Sequence, residues 1–392
     1  MTFELPPPDR PADPAVGAQV VEETAISTAS QRRLVWSRFR RNRLAMVGLL
    51  ITAGFYLVAL FAEFLAPYSA GEFDARYTYA PPQRVHVVDT DGGWDWGLYV
   101  HDFEIGRDPE TFAPTFEVDR EAKVSIGLFV RGEPYKLFGL IETDRHLFGP
   151  TDPDDPPVHV LGADRLGRDL LSRMIFGTRV SMSIGLVGVS LAFVLGTVVG
   201  GVSGYLGGRF DTFAQRIVEV LLSLPTLPLW MGLAASIPRS WGPLTRYFAI
   251  TVVLAMIAWT SLAREVRGRF LALRSEDFVT AARLDGVGQG RVIFGHMLPS
   301  MTSHLIATLT LAIPAMILAE TALSFLGLGL QAPVVSWGVL LQDAQNIPVI
   351  ARSAWLLLPG LAVVLAVLAL NFLGDGLRDA ADPYRAVSRG AP

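Results

Sequence analysis

The sequence predicts an all-α membrane protein of six transmembrane helices with a small β-rich external insertion between helices 1 and 2. Three observations predict it. Of 392 residues, 51% are hydrophobic and only 18% charged, less charge than a soluble domain of this size carries. Apolar runs of about 20 residues recur, the length a helix needs to cross a hydrocarbon core roughly 30 Å thick. Between the first two runs the pattern changes to β-rich segments separated by turn residues.

Residues 1–30 are rich in Pro, Ala and acids and have no periodic apolar face, which predicts a disordered cytoplasmic tail. They are not read as a signal peptide, because the basic run "RRLVWSRFRRNR" comes late and leads into "LAMVGLLITAGFYLVALFAEFLAP". Residues 31–67 therefore hold a basic segment and a retained first span. The external insertion, 68–158, contains "QRVHVVDT", "GLYVHDFEI" and "KVSIGLFV" as strand candidates. After it, "HVLGADRLGRDLLSRMIFGTR" sets Leu166, Leu170, Leu171 and Ile175 at helical spacing opposite Arg168, Asp169 and Arg173. That spacing predicts an amphipathic helix on the outer membrane surface, beginning near Gly162. Further spans are expected near 181–205, 217–236, 247–266, 302–326 and 354–373, inside a core of 159–385, with a short tail at 386–392.

Within the second span, Gly196, Gly200 and Gly204 form two successive G-x-x-x-G units, which let helices approach closely. Pro225, Pro228 and Pro314 mark kinks, since proline lacks a backbone donor. His304 is expected at the interface. Glu320 lies well inside a span, where an ionisable group is costly and turns toward a bundle interior or a wet cavity. Either a structural hydrogen bond or contact with a solute accounts for it.

Orientation follows from arginine placement. With the N-terminus inside, the inner segments hold six Arg between 32 and 43, then Arg209 and Arg216, six between Arg264 and Arg291, and Arg378, Arg385 and Arg389; the short outer loops hold Arg239, Arg246 and Arg352. Both termini are thus predicted to be cytoplasmic.

The residues exclude several chemistries. A phosphate-binding loop, G-x-x-x-x-G-K-[ST], needs a lysine that Lys123 and Lys136, followed by Val and Leu in the external insertion, cannot supply. There is no cysteine, and no pair of the six histidines has the i, i+4 spacing of a helical metal site. "DTDGGWD" at 89–95 resembles only part of a calcium loop and reads as a turn. No catalytic, cofactor or metal residue is assigned, and no nucleic-acid partner is expected.

One stretch between the fourth and fifth spans is unusual: "DFVTAARLDGVGQGRVIFGHMLP", residues 277–299. It opens with Asp277 as a capping acid, continues through Thr280, Ala281 and Ala282, breaks at Gly286, Gly288 and Gly290, and resumes before Leu298 and Pro299. It predicts helix, glycine turn, helix on the cytoplasmic side. In a chain without a nucleotide site, such an element suits docking on a protein that has one.

This stretch resembles the EAA motif of ABC importer permeases. Ala281 and Ala282 match the alanines, Gly286 the glycine, and Leu298 and Pro299 the ending; Thr280 directly before the alanines leaves Asp277 as the nearest acid, and His296 stands where the motif has Ile. "HVLGADRLGRDLLSRMIFGTRVSMSIGL", "AETALSFLGLGLQAPVVSWGVLLQDA" and "LLLPGLAVVLAVLALNFLGDGLRDAADPYR" resemble the C-type permease of dipeptide, oligopeptide and nickel importers. The likeness covers about residues 31–67 and 159–385, and the long segment at 68–158 departs from it. It implies the type I importer permease fold in a bacterial inner membrane, with 277–299 as the coupling helix seated in an ATPase groove. It also implies a second homologous permease, two ABC ATPase subunits carrying ATP and Mg, and an external solute-binding protein. The other classes open to the sequence are a secondary transporter or channel, and a receptor using the external domain.

Overall fold

The computed structural model of the chain describes residues 31–89, 95–110, 114–238 and 240–381. The two expected tails lie outside the described residues, as does the centre of the 89–95 turn. Helices α1 (Gln31–Arg41) and α2 (Arg43–Leu60) meet at Asn42, whose side chain accepts a hydrogen bond from the Ala45 amide at 3.3 Å and caps α2. The short α3 (Ala62–Leu65) follows.

The chain then forms an antiparallel meander, β1 (His86–Asp89), β2 (Asp95–Arg107), β3 (Pro114–Leu137) and β4 (Ile141–Pro150), in the order β1-β2-β3-β4. The strand candidates at 97–105 and 123–130 lie within β2 and β3, and β1 takes His86–Asp89 from the first candidate. Residues 68–83 do not join the sheet but are woven with 158–172. The Gln83 amide donates to His159 O, the Ala163 amide to Ala80 O, and the Tyr68 amide to Ser172 Oγ, at 2.9, 2.9 and 3.2 Å. The sheet is thus inserted into a collar that closes beneath it. Lower on the collar Arg165 lies 3.3 Å from Asp343, whose carboxyl burial pushes above the usual aspartate range despite that cation.

The amphipathic surface helix is not formed. Residues 161–169 run as turns, with positive φ at Gly162 and Gly167, and helix starts only at Leu170. The buried Asp164 carboxylate explains the difference. It accepts from the Leu166 and Arg168 amides and from the Arg168 and Arg173 guanidinium groups. The charged stripe read as facing water is therefore turned inward, Arg168 and Arg173 onto Asp164 and Asp169 onto Ser172. Asp169 Oδ2 accepts from the Ser172 amide at 2.7 Å and caps α4 (Leu170–Leu206), which continues unbroken as the second span.

The third span is also corrected. In place of one helix near 217–236 there are α5 (Gly208–Ser223) and α6 (Thr226–Ala235), bent by 92°. Pro225 disfavours helical backbone at Leu224 and ends α5 there. Pro228 falls in the first turn of α6, where a missing N–H costs nothing, and Pro314 stays inside a continuous helix. Next come α7 (Pro243–Leu273), α8 (Asp277–Leu284), α9 (Thr302–Phe325), α10 (Trp337–Leu341) and α11 (Leu358–Ala381). Among the described residues five helices are long and apolar enough to cross a membrane, or six if α5 and α6 count as one broken span.

Small residues set the packing. Gly196 lies against Leu262, Gly200 against the Ala263 backbone, and Gly204 against Arg267 and Phe270, so α4 and α7 touch along the predicted G-x-x-x-G stripe. Asp211 on α5 grips Arg267 on α7 with Oδ1–Nε 2.5 Å and Oδ2–Nη2 2.6 Å. On the other side α11 sits between α2 and α9, with Leu370, Ala366 and Val363 beside Met182 and Ile317.

Candidate functional site

The 277–299 stretch folds as helix, turn and irregular helix: α8, a turn at 285–288, a helical Gln289–Arg291, a π-helical Val292–Met297 and a last turn Leu298–Ser300. Gly286 closes α8. It has φ +77°, its amide donates to Arg283 O at 3.1 Å, and the Val287 amide donates to Ala282 O at 3.0 Å. This pair of bonds is the Schellman ending, which needs a left-handed residue at this position and satisfies carbonyls the helix would otherwise leave open. Val287 completes it by packing on the cluster that contains Val279 and Ala282. The glycine turn is therefore a backbone requirement, and Gly288 and Gly290 have no positive φ.

Asp277 is not the cap expected for it. Glu276 occupies the cap position without a side-chain hydrogen bond, and Asp277 is the first helical residue, where its charge suits the helix dipole. The two motif alanines divide: Ala282 is buried with Val279 against Val266 and Phe270 of α7, while Ala281 is exposed. One arc of α8, bearing Thr280, Leu284, Asp277, Ala281 and Phe278, thus faces outward, with Leu284 83% exposed. His296 and Pro299 are exposed beyond the turn, and Leu298 packs against the same cluster.

Sequence reasoning missed two residues that fasten this arc to the bundle. The Arg283 guanidinium lies 4.7 Å over the ring of Tyr205, in the last turn of α4, and its Nε donates to Tyr205 Oη at 3.2 Å. No local signal announces a partner 78 residues away. α8 is consequently bound to α7 by apolar packing and to α4 by a cation–π contact, so a rigid displacement of α8 must move the ends of both.

Glu320 sits apart from this element. It is fully buried in α9, and its Oε1 accepts from Ser324 Oγ and Ser336 Oγ, both at 2.7 Å. Ser336 Oγ in turn accepts from the Val339 amide and caps α10. Both bonds fall on one carboxylate oxygen, and the other, Oε2, is buried without a hydrogen-bond partner among the described residues. We expect Glu320→Gln, which keeps one acceptor oxygen for both serines, to unfold thermally near the parent protein. Glu320→Leu should fall well below it, because each buried hydroxyl left without a partner costs about 1–3 kcal/mol. An equal loss from both variants would show that the carboxylate itself is required.

His304 pairs with Glu265 across α9 and α7 at 2.5 Å, both partly exposed. Between α4, α6, α7 and α9 lies an apolar cavity of about 290 Å³, lined by Phe193, Trp230, Leu262, Thr308 and Met316 among others. Among the described residues no group of three or more His, Asp or Glu is placed to hold a metal ion.

Two family models match the chain: "binding-protein-dependent transport system inner membrane component" over residues 193–386, and "N-terminal TM domain of oligopeptide transport permease C" over 30–82. The sheet β1–β4 falls wholly between them. The chain is similar to the dipeptide transport system permease protein DppC of Bacillus subtilis, 39% identical over 237 residues, covering 59% of this chain and 72% of that protein. It is likewise similar to the oligopeptide transport system permease protein OppC of Haemophilus influenzae, 40% identical over 227 residues, covering 57% and 70%. Among solved structures, a chain of the inward-facing MetNI methionine ABC transporter aligns loosely, with a TM-score of 0.42 and 19% identity over 54% of this chain and 98% of that one.

Proposed function

The chain belongs to the family of binding-protein-dependent transport system inner membrane components, and from that premise we propose that it is the C-type permease subunit of an ATP-driven importer of peptides. A second homologous permease encloses the translocation path with it. Two ABC ATPase subunits bind its cytoplasmic side, and an external solute-binding protein delivers the cargo. The dipeptide and oligopeptide permeases among its relatives support peptide as the cargo class. The arginine distribution supports cytoplasmic termini in a bacterial inner membrane. ATP and Mg belong to the ATPase subunits, since neither lysine of this chain stands in a phosphate loop.

The observation that carries this reading is the 277–299 hairpin: a short helix with an outward arc, ended by a Schellman turn and fastened inward to two long helices. Seated in an ATPase groove through Asp277, Ala281 and the Gly286 turn, α8 moves when the ATPase dimer closes. Ala282 and Val279 transmit that motion to α7, and Arg283 transmits it through Tyr205 to α4. Because α4 and α7 touch along Gly196, Gly200 and Gly204, they move as one body and the displacement reaches the far side of the membrane. Leu298 and Pro299 lead the hairpin into α9. Access then alternates between two packings of the same helices, each favoured by a different state of the ATPases. The family match offers no support for an uncoupled secondary transporter, a channel or a receptor.

The purified chain alone is expected neither to bind nor to hydrolyse ATP, whereas the complex reconstituted with its ATPase subunits should do both and turn over faster with loaded binding protein. Hydrolysis that survives removal of every ATPase subunit would overturn the assignment.

A further inference from the structure

The tip of the β3–β4 hairpin carries five residues without a charge, Leu137-Phe138-Gly139-Leu140-Ile141. Its turn has the Leu140 amide donating to Leu137 O at 3.1 Å, with φ +54° at Phe138 and +71° at Gly139. Two positive φ values in succession define a turn whose first central position strongly favours Asn, Asp or Gly. Here phenylalanine holds it. A tip bathed in water would gain nothing from that choice and would expose Leu140 and Ile141, which are 85% and 58% accessible.

The tip does not project away from the bundle. The Phe138 ring lies 5.6 Å from that of Phe61, at the end of α2, in an edge-to-face contact. Phe138 and Gly139 also border a crevice of about 410 Å³ whose other walls include Tyr56 and Leu60 of α2 and Met182 and Leu186 of α4. The hairpin is held at this height by His146 of β4, whose ring nitrogens lie 2.6 Å from Ala66 O and 3.0 Å from Glu133 O. A helix of 18 residues such as α2 is about 27 Å long, close to the roughly 30 Å hydrocarbon core. Its last turn, and with it the tip, therefore stands at the outer boundary of that core. On the strands charges return one rung above, where Lys136 and Glu142 pair at 3.0 Å, and on the helix side the Glu63–Arg179 ion pair borders the same crevice, marking the level where headgroups begin. On α2 the neighbouring Leu57 and Leu60 are themselves exposed, so the tip continues an apolar surface of that helix.

We infer that the β3–β4 hairpin tip is immersed in the outer leaflet, so that the inserted sheet is anchored to lipid as well as to the collar. The sheet then stands at a fixed tilt on the membrane, unable to swing about the collar while the helices beneath it change packing. The inference rests on the reading that α2 and α4 span the membrane with these ends outside.

The sequence contains no cysteine, so single cysteines report cleanly. Leu140→Cys, Leu50→Cys and Val118→Cys are each labelled with an environment-sensitive nitrobenzoxadiazole dye in the assembled transporter in phospholipid nanodiscs, with the unsubstituted transporter as blank. Leu50 is exposed midway along α2, and Val118 is exposed on β3 far from the tip. The label at 140 should emit at shorter wavelength than at 118 and be quenched by lipids doxyl-labelled near the headgroup but not by aqueous iodide; the label at 118 should show the reverse. Iodide quenching at 140, or shielding from both quenchers by a partner subunit, overturns the inference. Lipid quenching at 50 in the same series shows that the span stands, so failure at 140 is separable from failure of the membrane reading.

Discussion

Gly200→Val is expected to leave the chain inserted in the membrane but unable to hold its helices together. A Cβ at position 200 would lie 2.4 Å from Ala263 O and 3.0 Å from Ala263 Cα on α7. These are backbone atoms of a long helix, which cannot rotate aside as a side chain can, so α4 and α7 must separate. Gly196 and Gly204 flank the site on the same stripe and lose their contacts with Leu262 and Arg267 when it opens. Overpacking one buried position commonly costs about 1–3 kcal/mol, and here the lost dispersion along the stripe adds to it. Valine is as acceptable to lipid as glycine, so insertion itself should be normal. The measurement is thermal unfolding and monodispersity in detergent, compared with Gly232→Val, whose Cβ would meet nothing within 4 Å. Equal stability of the two variants would show that the glycine stripe is incidental to the α4–α7 contact.

That stripe was legible in the sequence because close approach leaves a local mark: every fourth residue must lack a side chain. The turn at Gly286 was legible for a similar reason, since a left-handed position selects glycine in place. What failed to show was the direction in which polar groups face. The Leu166–Arg173 stretch has true amphipathic spacing, yet Arg168 and Arg173 turn inward onto the buried Asp164 and Asp169 is buried against Ser172, and periodicity reports only that two faces differ, not which is wet. The broken third span was half legible, since Pro225 was marked as a kink but the extent of the bend depends on what α5 grips through Asp211. At the candidate site the motif named both alanines, but not that Ala282 is core and Ala281 surface, nor that Arg283 finds Tyr205. Those facts depend on distant segments and enter only with the fold.

Gly286→Arg is expected to abolish coupling while sparing the fold of the spans. Its effect separates into two terms that companion variants isolate. A left-handed φ of +77° costs a side chain with a Cβ about 1–2 kcal/mol, and strain of that size frays the Schellman end and loosens Val287 from the cluster. Gly286→Ala carries this cost alone, because nothing of the chain lies within 4 Å of the added Cβ. Gly286→Asn carries less of it, since asparagine tolerates the left-handed region. At about 1.4 kcal/mol per tenfold in affinity, strain alone predicts alanine to weaken retention of the ATPase subunits by roughly tenfold and asparagine by less. Arginine adds bulk and charge on the surface we propose faces the ATPase groove, so both retention and uptake should collapse. The lesion lies outside every helix long enough to cross the membrane, so insertion should survive. Gly71→Arg is the matched control, an open position without positive φ on the opposite side of the bundle. The decisive measurement is the fraction of ATPase subunits retained on washed membranes, together with uptake. Wild-type values of both in Gly286→Arg would reduce the 277–299 hairpin to a connector and remove the observation on which the proposed function rests.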